Sequence, residues 1–155
     1  MRGKLLEIGS KPATDAAPEV NTTMNSTQQA ELVRIACEAR TSAYAPYSKF
    51  LVGAALLTTD GRVYRGCNVE NASYGLTNCA ERVAIGTAVA DGARDFTAIA
   101  IATAGGFTPC GACRQVLAEF APKLVVLLVD ADHSERVFET TLDVLLPGQF
   151  TLKPS

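Results

Sequence analysis

The hydrophobic positions of this chain fall into two kinds of block, one spaced at helical intervals and one nearly unbroken. Val33, Ala36, Ala39 and Ala43 recur three or four apart, the spacing that lines one face of an α-helix, until Pro46 halts the pattern. Ser26 followed three residues on by Gln29 has the form of a capping box, so the first helix is expected over 27–43. Phe50 to Thr58 (FLVGAALLT) is almost continuously apolar. Asp60-Gly61 supplies a turn and Arg62 to Val69 resumes as a strand, which predicts a hairpin. Ala98 to Ala102 and Leu124 to Val129 are short, apolar and unalternating, as strands are when helices cover both faces of a sheet. Helices expected from Cys79 to Ala90 and from Cys110 to Phe120 interrupt the strand series, making a β-β-α-β-α-β order with a right-handed crossover for any parallel pair. Phe138 to Leu146 adds a strand and a short helix before Pro147-Gly148. The pattern predicts a layered α/β domain.

Residues 1–25 mix Pro, Ala, Thr and Asn without either periodicity and are expected to form a flexible tail ahead of one domain spanning 26–152. A chain of 155 residues, 48% hydrophobic, has enough apolar material for a single core without disulfide staples. The formal net charge of -2 creates no positive field for phosphate backbones and argues against nucleic acid as a partner. No apolar run approaches the roughly 20 residues that a membrane-spanning helix needs. The cysteines number five, and the early apolar pair Leu5, Leu6 is broken at once by Glu7, so no secretory signal is read. These features point to a reducing, cytoplasmic setting.

Three of the cysteines stand at the starts of the two expected helices: Cys79 in Cys79-Ala80-Glu81, and Cys110 with Cys113 in Pro109-Cys110-Gly111-Ala112-Cys113. Residues three apart in a first helical turn share a face, so Cys110, Cys113 and a sulfur from the neighbouring helix can form the base of a tetrahedron. Zinc suits such a base, and three protein ligands leave the fourth position open for water. Helix amino termini favour thiolate over thiol. Three thiolates against one Zn²⁺ leave a formal charge of -1, for which Arg82, with a guanidinium able to donate to a ligand sulfur, is the obvious compensator; Arg114 is a second possibility but is read as an exposed helix arginine. Glu81, two residues from a ligand, is better placed to move protons than to bind metal.

These residues resemble the catalytic signature of zinc nucleobase and nucleoside deaminases, whose three-cysteine variant is a known form. Tyr44-Ala45-Pro46-Tyr47-Ser48-Lys49-Phe50, Val52-Gly53-Ala54-Ala55, Gly66 to Ala72, Pro109 to Gln115 and Leu145-Leu146-Pro147-Gly148 look like the homotetrameric cytidine deaminases, so the similarity runs over about 27–150. The resemblance implies a three-layer α-β-α sandwich around a mixed sheet of about five strands. It implies one zinc per chain on Cys79, Cys110 and Cys113, and Glu81 as proton shuttle in the hydrolysis of cytidine and deoxycytidine to uridine and deoxyuridine with release of ammonia. Asn68 and Glu70 would hold the ribose hydroxyls, a role that strand alternation favours because positions i and i+2 share a face. Phe50 would pack against the pyrimidine, and Ala80 would contact substrate. Ala72, Tyr74 and Phe150 would reach the sites of neighbouring subunits in a homotetramer.

Other readings compete. A closed structural zinc site with Cys67 as fourth ligand would leave Glu81 without a purpose, and a redox pair Cys110/Cys113 would leave Cys79 and Glu81 unexplained. A polynucleotide deaminase needs a basic or aromatic groove that the sequence does not offer. Deamination of a cytosine nucleoside antibiotic of the blasticidin type is the nearer rival, against which Asn68 and Glu70 argue for ordinary ribose. Cys37 and Cys67 are read as small buried residues and His133 as part of an exposed turn.

Overall fold

The computed structural model describes residues 24–152; apart from Met24 and Asn25, the expected tail lies outside the described residues. Helix α1 runs Ser26–Arg40. Its capping box begins one residue earlier than the pattern predicted. The Asn25 side-chain oxygen accepts from the Gln28 N–H at 2.8 Å, and the Gln28 side chain accepts in return from the Asn25 N–H at 3.1 Å. Ser26 is thereby the first helical residue. The helix also ends before Ala43, because the Thr41 hydroxyl donates back to the Glu38 carbonyl and the Tyr44 N–H leaves the helix for the Asn68 carbonyl.

Five strands follow: β1 Gly53–Thr58, β2 Val63–Cys67, β3 Phe96–Thr103, β4 Val125–Asp130 and β5 Val137–Thr141. Helix α2 (Ala80–Ala90) leads into β3, α3 (Gly111–Phe120) joins β3 to β4, and α4 (Leu142–Leu145) follows β5. The sheet order is β2-β1-β3-β4-β5, antiparallel throughout except for the parallel pair β3 and β4. The expected mixed sheet of five strands is therefore present. Strand β1 begins at Gly53 and not at Phe50, since the segment before it bonds to the Asn68 side chain instead of to a ladder.

Alternate residues of the central strands enter opposite cores. Ala54, Leu56, Ile99, Ile101, Val126 and Leu128 pack with α2, α3 and α4, whereas Ala55, Leu57, Ala98, Ala100, Leu127 and Val129 pack under α1. This double burial is why the strands read as unbroken apolar runs. Each large aliphatic side chain sealed there, such as Ile99 or Leu127, contributes about 1.5–3 kcal/mol of transfer free energy. Two glycines bring helices close to the sheet. A Cβ on Gly53 would stand 2.1 Å from the Ala36 carbonyl oxygen of α1, and one on Gly66 would stand 2.3 Å from the Ala80 carbonyl oxygen of α2. The second contact seats the amino end of α2 against β2, where the candidate chemistry lies.

Candidate active site

Cys79 is the N-cap of α2 and Cys110 the N-cap of α3, with Cys113 buried in the first turn of α3. Cys79 Sγ lies 4.0 Å from Cys110 Sγ, Cys110 Sγ lies 3.5 Å from Cys113 Sγ, and all three sulfurs fall within 4.8 Å of one another. Tetrahedral zinc with bonds of about 2.3 Å requires sulfurs roughly 3.8 Å apart, so the three residues fit the ion as they stand. The electrostatics agree. The Cys79 thiol is held down to about 5 by the hydrogen bond with Cys113 and, against the effect of burial, by Arg82. The Cys113 thiol is pushed far up by that same bond to Cys79, by burial and by the charge of Glu81. Sulfurs this close cannot all ionise without a cation among them.

Arg82 stands beside this group as expected, its Nη2 3.7 Å from Cys79 Sγ and 2.8 Å from the Thr77 carbonyl oxygen, which accepts from it. Its Nε–H is buried without a partner among the described residues, leaving an unspent donor on a cation next to sulfur. Arg114 is not the exposed helix arginine expected of it. Its guanidinium donates to the Pro109 carbonyl at 2.7 Å, the Leu145 carbonyl at 2.7 Å and the Thr108 hydroxyl at 3.0 Å, so it straps the loop before Cys110 to the end of α4.

Glu81 is 4% exposed in the first turn of α2. Burial pushes its carboxyl up and the charge of Cys79 adds to that, while its own backbone N–H and Arg82 pull the other way. It lines a cavity of about 290 Å³ together with Cys79, Cys110, Phe50, Asn68 and Glu70. Asn68 and Glu70 lie just past the end of β2, not inside a strand, and isolated bridges from Val69 to Tyr44 and to Asn78 keep the backbone extended there. Both therefore border the same cavity. The Asn68 side-chain oxygen accepts from the Val52 N–H at 2.9 Å and its amide nitrogen donates to the Phe50 carbonyl at 2.8 Å. The asparagine thus sets the course of the segment that carries Phe50. Glu70 accepts from the N–H groups of Tyr47 at 2.9 Å and Ser48 at 3.2 Å. Its carboxyl lies below the usual range, first through the Ser48 hydroxyl and then, against desolvation, through those backbone donors and Lys49.

The structure does not bring every expected residue to this cavity. Ala80 is wholly buried with its carbonyl against Gly66. Ala72 is exposed, and Tyr74, 74% exposed, sits beside Tyr47 over an adjoining recess that also reaches Glu70. Phe150 is exposed, with its carbonyl accepting from Gln115 Nε2 at 3.0 Å. Cys67 turns its thiol to the Ser42 carbonyl and stands outside the cysteine group, which removes it as a fourth ligand. Cys37, on α1, and Cys67 are both half-buried and not fully buried as expected, and His133 is exposed beside Glu135. Phe107 and Thr103 line the cavity and were not anticipated. The signal available for Phe107 was a lone aromatic after Gly105-Gly106 and three residues before Cys110.

Known proteins resemble this chain in sequence and fold. A profile of the cytidine and deoxycytidylate deaminase zinc-binding region matches residues 26–129. A cytidine deaminase of Sporosarcina psychrophila is 51% identical over 124 residues, 78% of this chain and 90% of that protein. The crystal structure of cytidine deaminase from Burkholderia pseudomallei superposes with a TM-score of 0.74 at 52% identity, covering 78% of this chain and 98% of the other. A blasticidin-S deaminase of Bacillus cereus is more distant, 34% identical over 137 residues that make up 81% of this chain and 94% of its own. With three cysteines spaced for one zinc at two helix starts and a mixed five-stranded sheet beneath them, the chain belongs to the zinc-dependent cytidine deaminase family.

Proposed function

We propose that the protein hydrolyses cytidine and deoxycytidine to uridine and deoxyuridine, releasing ammonia, through a catalytic domain spanning 26–152. The observation that carries this reading is the buried carboxyl of Glu81 in one cavity with two of the clustered cysteines and with Asn68 and Glu70. Zinc held by Cys79, Cys110 and Cys113 supplies a Lewis acid that makes water nucleophilic near neutral pH. Glu81 takes one proton from the attacking water and passes it to the ring nitrogen beside the reacting carbon, then takes the second proton from the new hydroxyl on that carbon and passes it to the departing amino group, which leaves as ammonia. Burial raises the affinity of its carboxyl for a proton, which suits a group that takes a proton up before passing it on. Arg82 offsets the surplus negative charge of three thiolates.

Asn68 and Glu70 recognise the sugar hydroxyls, and Phe50 packs against the pyrimidine. Among the described residues the cavity lining contains no lysine, arginine or histidine, and its carboxyl groups are Glu70 and Glu81. A nucleoside fits such a lining better than a nucleotide, whose phosphate would meet carboxylates and, among the described lining residues, no cationic side chain. Ala72, Tyr74 and Phe150 act in neighbouring subunits of a homotetramer in the cytoplasm. The exposure of Ala72, Tyr74 and Phe150 in the single chain supports service to a partner.

The test follows the loss of ultraviolet absorbance when zinc-analysed protein meets cytidine, deoxycytidine, CMP, cytosine, adenosine or blasticidin S. Turnover of the first two alone at one zinc per chain, abolished by a chelator and restored by zinc, is expected. Comparable turnover of CMP would overturn the argument from the lining, and faster turnover of blasticidin S would move the assignment to the antibiotic.

A further inference from the structure

Two phenylalanines meet at the cavity from different parts of the chain. Phe50 stands on the segment before β1 and Phe107 on the loop between β3 and α3, and their ring centroids lie 6.0 Å apart at 58°. Both rings line the cavity, yet Phe107 is 60% exposed and belongs to neither core. Hydrophobic burial therefore does not hold it. Its loop does.

Thr103, 3% exposed at the end of β3, accepts the Phe107 N–H on its hydroxyl at 2.8 Å and the Gly106 N–H on its carbonyl at 3.3 Å. Asp130 at the end of β4 accepts the Gly105 N–H at 3.0 Å. Gly105 and Gly106 both adopt positive φ, +86° and +68°, and a Cβ on Gly105 would stand 3.3 Å from the Phe107 ring. A side chain at either position would be strained, so the chain has committed two glycines and a buried threonine to one loop shape. That shape presents an aromatic face to a cavity and leaves most of it in water. Exposed aromatic surface without a neighbour is unfavourable in the free protein and becomes favourable when a planar ligand covers it.

We propose that Phe107 is a substrate-binding residue, forming with Phe50 a two-ring wall against which the nucleoside packs. The inference rests on the cavity being the nucleoside site. Phe107 takes no part in proton transfer or metal binding, so its contribution falls on binding more than on the chemical step.

Steady-state kinetics with cytidine and calorimetric binding of uridine, both on zinc-loaded protein, test it. Phe107→Ala should raise KM and weaken uridine binding about tenfold, the scale of an aromatic ring stacked on a base, with kcat within about twofold and zinc content unchanged. Phe107→Tyr should restore both and Phe107→Leu should not, because the tyrosine keeps the aromatic face and leucine keeps only bulk. Should Phe107→Ala fold poorly, the tyrosine and leucine variants still decide the point. Unchanged KM in Phe107→Ala, or equal rescue by leucine, overturns the proposal while leaving the deaminase reading intact. A wild-type protein that neither binds uridine nor turns over cytidine refutes both.

Discussion

A carboxyl group as deeply buried as that of Glu81 loses its hydration, and nothing in the packing of α2 demands a carboxylate at that position. Its place in the cavity supplies the reason. Glu81→Gln retains the shape and hydrogen-bonding reach but has no proton to exchange. The variant should keep one zinc per chain and melt at or above the parent temperature, while kcat falls by about 10²–10⁴. Metal analysis beside the absorbance assay checks this, and a rate within tenfold of wild type would remove Glu81 from proton transfer. Glu81 and the three cysteines were legible in the sequence because their chemistry depends on residue type and short spacing. Phe107 was not, because nothing in a loop phenylalanine states which cavity it faces; that depends on Thr103, Asp130 and two glycines acting together. Arg114 shows the same limit, since the sequence suggested an exposed helix arginine and its position assigns it to two carbonyls and a hydroxyl.

Among the elements, α2 bears most directly on the site, because it begins with Cys79 and Glu81 and is seated on β2 through Gly66. Gly66→Ala would place a Cβ 2.3 Å from the Ala80 carbonyl oxygen and 2.5 Å from the Ala84 backbone nitrogen, so the helix must move away. A destabilisation of about 1–3 kcal/mol or more is expected, together with weaker zinc retention against a chelator. Gly86→Ala in the same helix provides the contrast. Nothing lies within 4 Å of the added methyl group, and alanine in an exposed helical position should stabilise by about 0.5–1 kcal/mol. Thermal melts of both variants read the difference in sign; equal shifts would show that helix propensity and not the close approach governs Gly66. Element boundaries were less legible than their existence. Asn25 and Ser26 are both good caps, and only the Gln28 reciprocity selects the first. Strand β1 starts three residues later than its apolar run because Asn68, distant in sequence, takes the backbone of the segment before it.

For the whole molecule, the surface near the cavity is conspicuous: Tyr44, Tyr47, Tyr74 and Leu76 are all exposed in the single chain. If Tyr74 serves a neighbouring site, chains carrying Tyr74→Ala and chains carrying Glu81→Gln should each be nearly inactive alone. Co-refolded or co-expressed, they should regain a measurable fraction of wild-type turnover, because some sites then combine an intact Glu81 with an intact Tyr74. An absence of recovery in mixed oligomers verified by tagged co-purification would confine each site to one chain. At this scale the sequence by itself determined the layered α/β class and the three cysteines at two helix starts with a glutamate beside them, because each is written in local periodicity or short spacing, whereas Asn68 and Glu70 were legible only through the resemblance of their motif to a known family. The tertiary structure alone decided that Cys67 stands outside the metal group, that Asn68 splints the Phe50 segment, and that Arg114 and Phe107 frame the site. Those outcomes depend on which distant backbone carbonyls, amides and rings the packed sheet brings within reach, and spacing along the chain carries no record of that.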